Sequence, residues 1–219
     1  MAVKEQQTQK RKSPEGKRER FTMIRSFVLA DVLTLLNGAC GSGSVLSAMQ
    51  HLITQEDRWL TLSMALLPLA LVFDFLDGRV ARWRQKSSSL GADLDSLADV
   101  ISFGMAPAAI GFAAGLRGEI DVLLLLFFVG CGISRLARFN ATAVAMSDQS
   151  GKVSHFEGTP IPTSVGIVVV VWILHGLGLT GESMWLGSAS VFGLAIHPLS
   201  LIYAASGAAM VSTVRIPKI

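Results

Sequence analysis

Six stretches of this chain, at about 31–53, 59–82, 91–116, 120–143, 160–179 and 188–212, are long and apolar enough to be read as helices crossing a bilayer. A hydrocarbon layer of roughly 30 Å is crossed by about 20 helical residues, and each stretch meets that length. With 51% apolar and only 16% charged residues, the chain fits this reading better than a soluble core. Only 120–143 and 160–179 are close to uniformly apolar. The others carry polar groups, which points to helices that face one another or a wet cavity. The expected fold is an all-α integral membrane protein with six transmembrane helices over residues 21–219. FTMIRSFVLAD, just ahead of the first span, reads as a short N-terminal amphipathic helix lying at the interface.

Residues 1–20 hold seven Lys/Arg and three Glu with almost no apolar side chains, so they are expected to form a disordered basic tail. No short apolar core follows the basic start, so it does not read as a signal peptide. The remainder of the chain is slightly acidic, which favours contact with an anionic membrane surface over nucleic acid. Cys40 and Cys131 both fall inside expected spans and read as packing residues. Lys and Arg concentrate in the tail and in the 83–90 and 144–159 connections, while the opposite loops carry only Arg58 and Arg117. The positive-inside rule then puts both termini on the cytosolic side.

The spans contain a costly set of carboxylates. At 100° per residue, Asp74, Asp77, Gly78, Ala81 and Arg82 lie within roughly 140° on one helix face. Gly91, Asp95 and Asp99, spaced by four, cover roughly 80° of the next helix, with Asp93 on its other side. The connection WRQKSSSL is short enough to make the two helices antiparallel neighbours, with their polar stripes facing each other near the cytosolic end.

Four carboxylates in a low-dielectric region cannot all ionise without compensating cations. An all-oxygen set without His or Cys suits a hard dication, Mg²⁺ or Mn²⁺, and four carboxylates suffice for two ions. Two such ions can bind and activate a diphosphate. Gly78 and Gly91 allow a phosphate close to the backbone, and Arg82 adds a forked cation. Taken singly, each Asp also fits a structural hydrogen bond, an ion pair or a proton path.

The spacing D-x2-D-G-x2-A-R-x8-G-x3-D-x3-D, carried by Asp74, Asp77, Gly78, Ala81, Arg82, Gly91, Asp95 and Asp99, resembles the signature of the CDP-alcohol phosphatidyltransferase family. The runs DVLTLLNGACG, LDSLADVISFGMAPA, SRLARFNAT and FEGTPIPT, with the closing RIPKI, are similar to its phosphatidylserine synthase branch, and to fungal-type members above all. The resemblance covers about 22–219. It implies a six-span membrane enzyme, usually a homodimer, that moves a phosphatidyl group from CDP-diacylglycerol to the hydroxyl of L-serine and releases CMP. It also implies an endoplasmic reticulum location with the active site toward the cytosol. By the same resemblance, Asp74, Asp77, Asp95 and Asp99 hold the two ions and Asp99 is the general base. Asn37, Gly78, Ala81, Arg82, Ser88 and Gly91 line the CDP end of the donor.

The family motif fixes the reaction and not the acceptor, so inositol and glycerol phosphate stay open as alternatives. Serine needs a guanidinium for its carboxylate and an acidic or carbonyl partner for its ammonium. Arg135, Arg138, Phe139, Asn140 and Glu157 are the candidates. The two arginines also fit the role of anchors at lipid headgroups. A small ion-coupled transporter would likewise place carboxylates and arginines in helices, but it is expected to show inverted repeats and midplane polar residues, and neither is visible here. GSGS at 41–44 lacks the lysine of a phosphate loop, and the four histidines show no ligand spacing.

Overall fold

The computed structural model describes residues 29–84, 89–147, 155–212 and 215–217. The basic tail and residues 21–28 of the expected interfacial helix lie outside the described residues, as does Ser88, while Leu29–Asp31 already belong to α1. The fold is mainly helical. In chain order it comprises α1 (Leu29–Thr54), α2 (Asp57–Arg84), α3 (Ser89–Asp99), a wide π turn (Val100–Met105), α4 (Ala106–Ala113), α5 (Glu119–Ser147), α6 (Ser164–Gly176) and α7 (Ser200–Val211). Four helices are long and apolar enough to cross a membrane: Ala30–Thr54, Asp57–Val80, Gly91–Ala113 and Glu119–Ala141. Leu35, Leu46, Ile53, Leu123, Leu126 and Ile173 all point outward, as they should if the solvent around the bundle is lipid.

The first four expected spans correspond closely to these helices. The last two differ. Of 160–179, a 3-10 turn covers Ile161–Thr163 and α6 covers the next 13 residues. Of 188–212, only the 12 residues of α7 are helical. Its front half is instead a hairpin, β2 (Ala189–Val191) paired antiparallel with β3 (Leu194–Ile196). The cause is local: Gly187 and Gly193 sit at positive φ on either side of β2, and Pro198 starts a new helix only at Ser200. A second ribbon pairs β1 (His155–Glu157) with β4 (Arg215–Pro217). The helical class expected from the sequence holds, with two small ribbons added to the bundle.

Small residues set how closely the helices approach. α1 packs along α2 and against α3, the π turn and α4. At the α1–α2 contact Ser44 and Ser63 donate to each other's backbone carbonyls, both at 2.8 Å, which satisfies two hydroxyls out of reach of water. Gly41 meets the π turn so tightly that a Cβ on it would lie 2.6 Å from Ser102 Cα. Ser102 Oγ donates to Asn37 O at 2.9 Å across this contact. Further along, Tyr203 of α7 is fully buried, donates to Pro107 O at 3.0 Å and meets Phe128 edge-on at 5.5 Å.

The third span is not one regular helix. The Ala106 amide bonds to Ile101 O, five residues back, and Ser102, Phe103 and Gly104 inside the wide turn are buried. Such turns insert an extra residue in a helix and are frequent beside functional sites. This one begins immediately after Asp99.

Candidate active site

The carboxylates converge as their spacing predicted, with one difference. Oxygen atoms of Asp74, Asp95 and Asp99 all lie within 4.8 Å of one another. Asp93 is exposed on the far side of α3. Asp77 is buried beside the group, where its Oδ2 accepts from Thr34 Oγ1 at 2.9 Å. α2 and α3 were expected to pack as antiparallel neighbours. Among the described residues they make little backbone contact, and α1 packs against both.

α1 also orients the acidic groups. Asn37 Nδ2 donates to Asp99 Oδ1 at 3.2 Å, and Asn37 itself is fully buried. Asn37 is held in turn through the Ser102 bond to its carbonyl. Asn37 Oδ1 and Asp95 Oδ1 are buried with no hydrogen-bond partner. An unpaired buried carboxylate oxygen is expensive unless a ligand completes it. With three carboxylates in reach of one point and neither His nor Cys among them, the donor set fits a hard, oxygen-preferring dication.

A cavity of about 370 Å³ opens from the acidic group. Asp95, Ser96 and Asp99 form one wall, and Arg135, Phe139 and Asn140 of α5 form another. Asn140 Nδ2 donates to Ser96 Oγ at 2.9 Å, tying α5 to α3 across the cavity edge. Arg135 Nε is buried without a partner, whereas Arg138, one turn on, is exposed and does not line the cavity. The third wall is the turn at Gly158, Pro160 and Pro162. Gly158 has φ +77° and lies against Met210 at the end of α7, so any side chain there would be strained and would collide with the helix end.

Gly78 has open space where a Cβ would stand, and Gly91 is half-buried at the start of α3. The side chains of Ala81, Arg82 and Glu157 lie outside the described residues, although all three positions fall in described helix or strand. Two contributors escaped the sequence reading. Thr34 lies three residues before Asn37 on the same face of α1, and Ser96 sits between Asp95 and Asp99; each was visible as a polar residue inside an apolar run.

The model of the CDP-alcohol phosphatidyltransferase family matches residues 27–199, a range that holds the acidic group and every described wall of the cavity. The chain belongs to that family. Among relatives of this phosphatidyltransferase-family chain, a CDP-diacylglycerol–serine O-phosphatidyltransferase of Saccharomyces cerevisiae is 41% identical over 205 residues, covering 90% of this chain and 73% of the relative. The enzyme of the same name from Mycobacterium tuberculosis is 31% identical over 173 residues, covering 78% and 56%. An archaetidylserine synthase of Methanothermobacter thermautotrophicus is 39% identical over 145 residues, covering 64% and 56%. The chain thus spans nearly three quarters of the yeast relative and little more than half of the other two.

Proposed function

We propose that this chain is a phosphatidyltransferase that passes the phosphatidyl group of CDP-diacylglycerol to the hydroxyl of L-serine and releases CMP. The observation that carries the reading is the single cavity joining Asp95 and Asp99 to Arg135, Phe139 and Asn140. The names of the relatives, all serine-directed, support the acceptor.

In this reading Asp74, Asp77, Asp95 and Asp99 hold two divalent cations, Mn²⁺ or Mg²⁺, which would offset charge on the diphosphate. Asn37, Gly78, Ala81, Arg82, Ser88 and Gly91 bind the CDP end, where the glycines admit it to the backbone and Arg82 pairs with phosphate. Arg135, rather than the exposed Arg138, holds the serine carboxylate, with Phe139 and Asn140 beside it, and Glu157 serves the ammonium or steadies the arginine. Asp99 takes the proton from the serine hydroxyl as the serine O–P bond forms and the P–O bond to CMP breaks. Asn37 fixes Oδ1 of Asp99, so the proton passes to Oδ2. No covalent enzyme intermediate is needed.

The wider setting belongs to the same proposal. α6 and α7 complete six spans, and the segment ahead of α1 adds an interfacial helix. The distribution of Lys and Arg puts the cavity on the cytosolic side. A homodimer in the endoplasmic reticulum membrane follows from the resemblance to fungal-type enzymes. The deciding experiment measures CMP release from CDP-diacylglycerol in detergent micelles with L-serine, inositol or glycerol phosphate. Release driven by serine is expected. Release driven by inositol or glycerol phosphate reassigns the acceptor, and no release with any alcohol refutes the transferase reading.

A further inference from the structure

The connection between α6 and α7, residues 177–199, lies at the opposite end of the bundle from the carboxylates. His197 N and Nδ1 donate to Asp121 at 2.8 and 2.5 Å, and Ala195 N donates to Glu119 at 2.8 Å. Both acidic residues stand in the first turn of α5, about 21–24 Å of helix rise from Arg135. The segment thus sits at the level where α5 enters the apolar layer.

Its polarity is inverted relative to a loop built for water. Between 177 and 199 the acidic and basic side chains are Glu182 and His197 alone. Trp185, Leu186, Val191, Phe192 and Leu194 all point outward, and Phe192 is 101% exposed. Phe192 (φ 52°) and Leu186 (φ 67°) occupy left-handed backbone, which bulky side chains adopt only where the surroundings enforce it. Meanwhile several of its backbone N–H groups are spent internally. β2 and β3 pair with each other, Gly181 N reaches Ala114 O at 2.7 Å, Trp185 N reaches Leu179 O at 3.1 Å, and Ala195 and His197 use the carboxylates of α5. Irregular backbone survives at membrane depth only when its polar groups are satisfied by protein in this way.

We infer that the 185–196 segment, which ends in the β2–β3 hairpin, is a membrane anchor that inserts Phe192, Leu186 and Trp185 into the headgroup and acyl boundary of the leaflet opposite the active site. The occupant of this surface is lipid. Tryptophan and neighbouring apolar side chains at the end of a spanning helix fit that boundary, where an aromatic ring is buried and its polar edge stays wet. The Asp121–His197 and Glu119–Ala195 contacts fix the depth of the hairpin by bolting it to α5.

The test uses the full chain with Cys40→Ser and Cys131→Ser, reconstituted in phosphatidylcholine and phosphatidylglycerol liposomes. Phe192→Cys, and Arg58→Cys as a water-facing reference, carry a nitroxide label. At position 192 collision with oxygen is expected to exceed collision with a water-soluble nickel chelate, and at position 58 the order reverses. Greater access of the nickel chelate at 192 overturns the inference. So does dipolar broadening at 192 that disappears on dilution with unlabelled protein, because the occupant is then a second copy. Phe192→Asp in the otherwise unaltered chain gives an independent reading. Aspartate tolerates left-handed backbone better than phenylalanine does, so an aqueous hairpin is predicted to gain thermal stability and a lipid-inserted one to lose it. A lowered unfolding midpoint in liposomes is expected, and an unchanged or raised midpoint counts against the anchor.

Discussion

Replacing Gly41 by alanine forces a methyl group into the contact between α1 and the π turn. The new Cβ would stand 2.6 Å from Ser102 Cα, a backbone atom that no rotamer change can move. Carbon atoms settle at about 3.5–4.0 Å, so the two segments must part by about 1 Å. Overpacking of this kind costs about 1–3 kcal/mol. The same displacement stretches the 3.2 Å bond from Asn37 to Asp99 and the 2.9 Å bond from Ser102 to Asn37. A shift near 1 Å at a reacting group is worth up to about 10² in rate. Gly41→Ala is therefore expected to lower the unfolding midpoint in detergent and to cut CMP release by more than the loss of folded protein explains. Adding Ser102→Gly should not rescue it, because the obstructing atom is the Cα itself. Gly130→Ala, whose methyl would meet open space, serves as the control and should be neutral or slightly stabilising. A Gly41→Ala protein with the parent's midpoint and turnover would falsify the coupling between this contact and the acidic site.

Asp99→Asn should abolish transfer while the protein stays folded, since the amide oxygen can still accept from Asn37; near-normal turnover removes Asp99 from the base role. Chelation with EDTA should remove activity and added Mn²⁺ or Mg²⁺ should restore it, so activity that survives exhaustive chelation refutes the metal assignment. Arg135→Gln is expected to raise the KM for serine far more than the KM for CDP-diacylglycerol, with Arg138→Gln much milder because its side chain lies outside the cavity; equal effects of the two variants would contradict the assignment. Thr34→Val deletes a buried hydrogen bond to a carboxylate and should cost about 1.5–3 kcal/mol, read as a drop in the unfolding midpoint. A variant as stable as the parent would place Asp77 in a different environment.

The acidic group was readable from spacing because i, i+4 periodicity on one helix is a local property. Asp95, Asp99 and the outward Asp93 fell where a 3.6-residue period puts them. The division of labour within the group was not readable. Asp77 turns to Thr34 because α1 stands beside α2 with a particular azimuth, and azimuth is settled by packing at contacts such as Gly41 with Ser102. The same limit applies to the two arginines of α5. They lie three residues apart, and the position of α3 decides that Arg135 lines the cavity while Arg138 faces out. The hairpin at 189–196 was missed for another reason. Hydropathy reports how favourably a stretch enters lipid and is silent on whether its backbone is helix or strand, so Gly187, Gly193 and Pro198 were the better guide.

The wide turn after Asp99 also sets the rotational phase of the third span. Regular helical counting puts Asp95, Asp99, Ala106 and Ile110 on a single stripe. One extra residue of winding offsets the two halves by roughly 100°. The half before the turn aims its carboxylates at the cavity, and the half after it buries Ala106 and Ile110 against other neighbours. Each half is thereby free to answer to its own surroundings. Loss of one residue between Val100 and Met105 would put both halves back in step, so that one of the two faces must turn away from what it now meets.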